Sequence, residues 1–543
     1  MPQLVSQFIA QSAGAVANQA AMLDLIASWR AIEQRAAATS AKAKPLFDKR
    51  KQLLPRERLA RLLDAGAPWL ELSSIAGYGL DQSDLSASVP GAGMICGIGF
   101  VNNTRVMINV SDSGIDAGAI QSKGLDKILR AQELALENRL PYVQLIESAG
   151  ANLLKYKVDD FVQGGKLFYN LARLSAAGLP VIGIVHGSST AGGAYMPGLS
   201  DYVVLVRDRA KAFLAGPPLL KAATGEIATD DELGGAHMHA TVTGLGEYLA
   251  YDDAHAISIA RELISKLQWT KTSEAAANYA QAPFTEPKYA ADELLGLIPS
   301  EPRAPLDMHE IIARLVDASD FLEFQPDFGP ATVCGHAAIF GMAVGIITNN
   351  GPIDPAGSNK ATHFIQACCQ SQIPLIYLQN TTGYMVGKQS EHGGMIKHGS
   401  KMIQAVSNAT VPSITIQCAA SFGAGNYGMC GRGFAPRFLF SWPNARTAVM
   451  GGEQAALTMR IVAQATALRK GDAVDEIKLQ ALEAAIIENF DRQSSALYTS
   501  ARLLDDGIVD PRDTRRILGF VLQTCAEAKA RRPQMMQFGV SRA

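Results

Sequence analysis

Two glycine-rich turns are the part of this sequence best suited to chemistry. One is Gly187-Ser188-Ser189-Thr190-Ala191-Gly192-Gly193-Ala194-Tyr195, the other Ser421-Phe422-Gly423-Ala424-Gly425-Asn426-Tyr427-Gly428. Each follows an apolar, β-branched run, Val181-Ile182-Gly183-Ile184-Val185 and Val411-Pro412-Ser413-Ile414-Thr415-Ile416. A strand that ends in such a turn and opens a helix presents backbone N–H groups at the positive end of the helix dipole. Glycine allows a ligand oxygen to approach where a side chain would block it. Two such turns make two candidate oxyanion holes, and so an enzyme that stabilises two anions. Close strand–helix packing would also select glycine, and for either turn alone that reading stays open.

The elements that must position the turns recur as well. Trp69-Leu70-Glu71-Leu72 returns as Phe321-Leu322-Glu323-Phe324, 252 positions later. Cys96-Gly97-Ile98-Gly99 returns as Phe340-Gly341-Met342-Ala343, 244 later. Leu140-Pro141-Tyr142-Val143-Gln144-Leu145 returns as Ile373-Pro374-Leu375-Ile376-Tyr377-Leu378, 233 later, each after a helix-like stretch. Offsets that shrink in fixed order indicate an internal duplication with a shortened second copy.

The chain of 543 residues is long enough for two or three domains. Its 48% hydrophobic and 18% charged residues, with 49 glycines, suit a turn-rich α/β protein. A net charge of −2 gives no reason to expect nucleic acid or an anionic membrane as partner. Seven cysteines without framework spacing suggest reduced thiols and a cytoplasmic location, with Cys368-Cys369 a core pair on a helix. Met1 to Ala10 lacks the basic and apolar regions of a secretory signal. Ala331 to Thr348, broken by Gly335, His336, Gly341 and Gly345, reads as two buried strands rather than a membrane span.

Residues 1–66 are expected to be a helical lead-in, 67–295 the first copy and 296–543 the second. A proline-rich linker lies within 270–305, and a last helical segment, Ala473 to Arg502, precedes a polar tail. His237-Met238-His239 has a metal-binding spacing but no cysteine or carboxylate cluster beside it, so no metal is expected. Ser188-Ser189-Thr190 offers hydroxyls, yet G-x-S-x-G is absent. These hydroxyls are expected to shape the turn.

Several motifs resemble a known family. They are Leu53-Leu54-Pro55-Arg56-Glu57-Arg58-Leu59, Val89-Pro90-Gly91-Ala92-Gly93, Ser189 to Tyr195, and Gly216-Pro217-Pro218-Leu219 with Lys221-Ala222-Ala223-Thr224-Gly225-Glu226. Gly383-Tyr384-Met385-Val386-Gly387, Gly423 to Gly431 and Pro443-Asn444-Ala445-Arg446 running into Met450-Gly451-Gly452-Glu453-Gln454 complete the set. From about residue 20 to the C-terminus the chain is similar to carboxyltransferase (β) subunits of biotin-dependent acyl-CoA carboxylases. The nearest resemblance is to subunits acting on geranyl-CoA and methylcrotonyl-CoA.

The resemblance implies an α/β fold of two duplicated crotonase-like (ββα superhelix) domains, acyl-CoA held by the first and biotin by the second. The site would form between the first domain of one subunit and the second domain of another. Gly192 and Gly193 would then serve the thioester oxygen, and Ala424 and Gly425 the biotin ureido oxygen. Ser148, Gly150, Ala151, Gly164, Ala191 and Ala194 would contact acyl-CoA, with Thr382, Gly383, Phe422 and Gly423 on the biotin side. Asn152-Leu153-Leu154 replaces the arginine of propionyl-type relatives. In the family, carboxybiotin releases CO2, and the freed biotin nitrogen removes the γ-proton made acidic by conjugation with the thioester. The dienolate oxygen rests in the first hole while the γ-carbon attacks CO2.

Ser400-Lys401-Met402 is not a Met-Lys-Met biotinylation tripeptide, and no segment reads as an ATP-binding carboxylase domain. Biotin is therefore expected on a partner α subunit, in an α6β6 assembly around a β hexamer. Gly164 stands where methylcrotonyl-type relatives carry phenylalanine, which favours geranyl-CoA with methylcrotonyl-CoA second; a loop-length difference could also account for it. Met196-Pro197-Gly198-Leu199 replaces their usual Val-Pro-Ala-Met. A crotonase-fold hydratase or decarboxylase, or a non-catalytic scaffold, is the remaining alternative. A hydratase would need paired carboxylates near Ser188 to Gly198, and the sequence has none there.

Overall fold

Apolar runs that do not alternate with polar residues make strands covered on both faces, the signature of parallel sheets in α/β proteins. The computed structural model describes residues 3–149, 157–267, 269, 283–300, 304–470 and 475–541. The chain divides into two compact units. One comprises 30–278, 501–503 and 523–543; the other comprises 1–29, 279–500 and 504–522.

The unit built on 30–278 holds β1 (Leu70–Leu72), β2 (Met94–Val101), β3 (Thr104–Ser111), β4 (Tyr142–Ser148), β5 (Val181–Thr190), β6 (Tyr202–Val206), β7 (Lys211–Phe213) and β8 (Tyr248–Ala250). Their order is β1-β2-β3-β4-β5-β6-β8, with β7 on β5. Helix α1 (Ala13–Ala41) contributes residues to both units; α2 (Pro55–Leu62), α3 (Ser122–Glu137), α4 (Val158–Ala176) and α5 (Asp253–Lys266) belong to this one. Pro55 opens α2, and Glu57 closes its first turn by accepting from the Leu54 N–H at 2.8 Å. Val106, Ile108, Val143, Ile182, Ile184 and Val204 form the core with Leu59 and Leu62 of α2.

The other unit repeats the plan with β9 (Leu322–Glu323), β10 (Thr332–Ile339), β11 (Met342–Asn349), β12 (Leu375–Thr381), β13 (Ser413–Phe422), β14 (Phe438–Ser441) and β15 (Arg446–Ala448). The order is β14-β13-β12-β11-β10-β9, with β15 on β13. Its helices include α6 (Met308–Leu315), α7 (Pro355–Gln370), α8 (Met395–Ser407), α9 (Gly452–Lys470) and α10 (Glu476–Ser494); α11 (Thr514–Ala530) again contributes to both units. The segment 331–348 is the antiparallel hairpin β10–β11, turning at Phe340-Gly341.

The duplication reaches irregular details. The β4–β5 pairing slips between Ile146 and Ser148, and the β12–β13 pairing slips between Gln379 and Thr381. One sequence match needs correction: Cys96-Gly97 of β2 corresponds to Cys334-Gly335 of β10, not to Phe340-Gly341. A Cβ on Gly97 would meet Trp69 at 2.6 Å, and one on Gly335 would meet Phe321 at 2.4 Å. The aromatic residue that covers each glycine fixes the correspondence.

The expected polar tail is also corrected. Residues 514–530 form helix α11, with Leu518, Val521, Leu522, Cys525 and Ala528 buried. Their spacing by three and four is the helical period that the high charge of this stretch obscures. All seven cysteines are unbridged; Cys368 is buried and its neighbour Cys369 half-buried.

Half-buried ion pairs recur too. Arg56 forks onto Glu71 at 2.9 Å, and the corresponding His309 meets Glu323 at 3.0 Å. Hydrogen bonds to Asp307 and then Glu323 push the His309 imidazole up to about 9 from 6.5. Its stabilisation is therefore complete below pH 6.5 and is lost as pH rises through about 9. The bond from His309 holds Asp307 down at about 2 from 3.8, so that contribution is lost only as pH falls through about 2. His309→Gln should lower the melting temperature at about pH 7, and the gap from the parent should close by about pH 10. A gap that persists at high pH would show that packing, not charge, carries the effect.

Candidate active site

β5 runs beyond β6, and its last residues Ser188, Ser189 and Thr190 pair with Lys211, Ala212 and Phe213 of β7. The chain then reverses at Ala191, whose φ of +52° lies in the left-handed region. Such a backbone costs about 1–3 kcal/mol in a residue with a side chain. One 3-10 turn, Ala191–Ala194, and one α turn, Tyr195–Gly198, follow.

Among the described residues, the Gly192 and Gly193 amides donate to no protein group. Gly192 faces solvent and Gly193 is buried. Ser189 Oγ donates to Gly193 O at 2.8 Å, so this hydroxyl shapes the turn as expected. A Cβ on Gly193 would lie 3.4 Å from Ser189 Oγ and 3.7 Å from Ser148 Oγ.

The second turn follows β13 in the same way. Gly423 takes the left-handed position at φ +55°, and its N–H is used by Ala448 O at 2.9 Å. The next two amides, Ala424 and Gly425, again donate to no protein group among the described residues. Ala424 is exposed and Gly425 buried, the pattern of Gly192 and Gly193. Asn426 Nδ2 donates to Ser421 Oγ at 2.7 Å and braces the turn.

A buried amide without a partner is rare and costs free energy comparable to a lost hydrogen bond. Its recurrence at the same place in two units is poorly explained by strand–helix packing. A ligand oxygen would satisfy each pair, and such donors, fixed before reaction, stabilise charge as it develops.

The other expected site residues fall as follows. Ser148 ends β4 and pairs with Ser189, while Ala194 closes the 3-10 turn. Gly164 lies on α4 with no atom within 4 Å of where its Cβ would be. Gly150, Ala151 and Asn152-Leu153-Leu154 lie outside the described residues. Phe422 ends β13, Thr382 is exposed, and Gly383 has φ +116° with its N–H on Thr381 Oγ1 at 3.2 Å.

Thr381 was missed by sequence reasoning. A Cβ on Gly425 would lie 2.6 Å from Thr381 Oγ1 and 2.9 Å from Gly383 Cα, so this turn is more tightly floored than the first. Thr381 stands at the repeat position of Ser148, and following the offset by 233 residues would have found it. Two ring pairs were also missed. Phe168 of α4 meets Tyr195 at 5.5 Å beside the first turn, and Phe434 meets Tyr427 at 5.7 Å beside the second. The Phe168 ring tip would be 3.6 Å from a Cβ on Gly192.

His239 spends both ring nitrogens on protein partners, Thr243 Oγ1 at 2.8 Å and Ala212 O at 2.7 Å. The described residues contain no group of three metal-ligating side chains.

The duplicated units, each ending a central strand in a turn with two unpartnered amides, have the crotonase-type carboxyltransferase fold. Residues 48–538 match the family model described as the carboxyl transferase domain, and the chain belongs to that family. It is 48% identical over 478 residues to the probable biotin-dependent acyl-coenzyme A carboxylase beta2 subunit of Mycobacterium tuberculosis, covering 88% of each chain. It is 43% identical over 507 residues to the probable mitochondrial methylcrotonoyl-CoA carboxylase beta chain of Drosophila melanogaster, covering 91% of this chain and 87% of that one. The crystal structure of the P. aeruginosa geranyl-CoA carboxylase beta subunit superposes with a TM-score of 0.93 at 51% identity, over 100% of both chains. This chain is thus the carboxyltransferase component of a biotin-dependent acyl-CoA carboxylase.

Proposed function

We propose that the chain carboxylates the γ-carbon of geranyl-CoA, with Gly192 and Gly193 holding the thioester oxygen and Ala424 and Gly425 the ureido oxygen of biotin. The open space at Gly164 carries the choice of substrate. Gly164 is about one helical turn before Phe168, so its backbone lies about 6 Å along α4 from that of the residue whose ring stands beside the first hole. The likeness to the geranyl-CoA carboxylase beta subunit supports the same choice. Relatives named for methylcrotonoyl-CoA make that substrate the second reading.

The donor set at the second turn fits biotin: two unpartnered amides, one in a cradle that any Cβ would fill. Carboxybiotin, borne by a partner α subunit, supplies the CO2 and then a basic nitrogen. This chain's part is electrostatic. The Gly192 and Gly193 amides stabilise the dienolate that forms when the γ-proton leaves, and the Ala424 and Gly425 amides take the charge on the ureido oxygen. Because both act mainly on charge that develops during reaction, they raise turnover more than affinity. The first domain of one subunit and the second of another complete a site in a β hexamer bearing six α subunits. We place the assembly in the cytoplasm; no helix among the described residues is long and apolar enough to cross a membrane.

Geranyl carries five more carbons than methylcrotonyl. At roughly 0.8 kcal/mol per buried methylene, a dry pocket could favour it by up to about 4 kcal/mol. The smaller acyl group still enters and forgoes only contact, so methylcrotonyl-CoA should be used with a lower specificity constant. Gly164→Phe meets no steric obstacle at its Cβ and should therefore fold. It should cut kcat/KM for geranyl-CoA by about 100-fold or more while sparing methylcrotonyl-CoA. Steady-state kinetics of the reconstituted α and β subunits test this. Equal losses on both substrates would remove residue 164 from the acyl pocket. A parent enzyme that rejects geranyl-CoA would establish the second reading.

A further inference from the structure

The motif Leu53 to Leu59 is far in sequence from either turn, yet its Arg58 is 1% exposed and lies in the interior of the acyl-side unit. Arg58 Nη1 donates to Glu147 Oε2 at 2.6 Å, and Nε to Asp253 Oδ2 at 3.1 Å. Glu147 is the residue before Ser148, at the slip in the β4–β5 register. Its carboxylate also accepts from Ser113 Oγ at 2.8 Å and Gln52 Nε2 at 3.1 Å. It reaches under β5 so closely that a Cβ on Gly187 would lie 2.3 Å from Oε1.

The circuit closes through β5. Gln52 Nε2 donates to His186 O at 3.1 Å, His186 Nδ1 meets Asp253 Oδ1 at 2.9 Å, and Asp253 Oδ2 accepts from Leu53 N at 2.7 Å. The strand that leads to Gly192 and Gly193 and its neighbour β4 are therefore tied to α2 and to Asp253, a few residues before the turn.

The repeat does not require the charges of Arg58, Glu147 and His186. In the other unit the corresponding positions are Ile311 for Arg58, Asn380 for Glu147, Cys418 for His186 and Ala419 for Gly187. Ile311 is buried, and Asn380 Nδ2 donates to Asn349 O at 3.2 Å. Neutral groups thus complete the same strand–turn–helix. Buried ion pairs are weak evidence for stability, since apolar replacements of like volume are often neutral or better.

We infer that Arg58, Glu147, Asp253 and His186 form a positioning network that holds the acyl-side amide pair in register with the thioester oxygen. They are positioning residues, since none touches the reacting atoms. The inference rests on the proposed role of Gly192 and Gly193.

The test uses the holoenzyme reconstituted with its α subunit, in Glu147→Gln and in the doubly apolar Arg58→Met/Glu147→Met. Three quantities are read: kcat and KM for acyl-CoA, carboxybiotin decarboxylation without acyl-CoA, and melting temperature. Misplacement of a donor by less than an ångström predicts a kcat about 10- to 100-fold lower with KM changed little. Decarboxylation without acyl-CoA should stay at the parent rate; the double variant leaves the Asp253 carboxylate without its guanidinium, so its melting temperature should fall and serves only to confirm that it folds. Parent-like kcat in either folded variant would overturn the inference, as would a parallel fall in decarboxylation. If the double variant fails to fold, Glu147→Gln alone decides by the same two measures. Full activity of Gly193→Pro would instead remove the hole itself, a separate failure.

Discussion

Gly193→Pro is expected to lower acyl-CoA carboxylation about 100- to 1,000-fold, the usual consequence of removing one oxyanion donor. Proline deletes the N–H, puts its ring Cδ where the ligand oxygen would sit, and disfavours the helical backbone of Gly192 before it, so the hole loses both its donor and its space. Gly193 lies in a helical turn, and its amide serves no protein group among the described residues, so no internal hydrogen bond is lost. The control is Gly193→Ala, which keeps the amide. Its Cβ would lie 3.4 Å from Ser189 Oγ and 3.7 Å from Ser148, close to ordinary contact, so turnover should fall much less. The loss in the proline variant should appear in kcat more than in KM. If both variants work near the parent rate, the first turn only packs.

Ala424→Pro is the matching experiment at the second turn and is the better conditioned of the two. Ala424 has φ −70°, close to the angle proline imposes, and its side chain is exposed. The expected loss is again about 100- to 1,000-fold, but its pattern differs. It should fall on every acyl-CoA alike, and on carboxybiotin decarboxylation measured without acyl-CoA, which Gly193→Pro should leave intact. Gly425→Ala is not a mild control here. Its Cβ would lie 2.6 Å from Thr381 Oγ1 and 2.9 Å from Gly383 Cα, so the floor of the hole must shift. Parent-like decarboxylation in Ala424→Pro would take the ureido oxygen away from this amide pair.

The asymmetry between the turns has a physical source in their surroundings. The first has a floor of serine hydroxyls with space to spare and a buried charge network beneath it. The second has a close floor of Thr381 and Gly383. Position 193 should therefore tolerate small changes better than position 425, although the two stand at the same place in the repeat.

Much of this was determined by local sequence. Unalternating, β-branched runs such as Val181 to Val185 read as strands buried on both faces, and the glycines after them as turns. The repeat then fixed two copies, and the family motifs fixed the chemistry. Local pattern did not fix which residues meet across long separations. The true counterpart of Cys96-Gly97 is hidden from local pattern because the deciding neighbour, Phe321 against Gly335, is a tertiary contact. Helix α11 reads as a polar tail in the sequence because burial, not composition, reveals its apolar face. Thr381 beneath Gly425 and Arg58 joined to Glu147 are likewise pairs that only the folded sheet brings together. Sequence determines what a strand and a turn can be, because those choices depend on near neighbours. Which amide is left without a partner, and which charge is buried beneath it, is decided by packing among residues hundreds of positions apart.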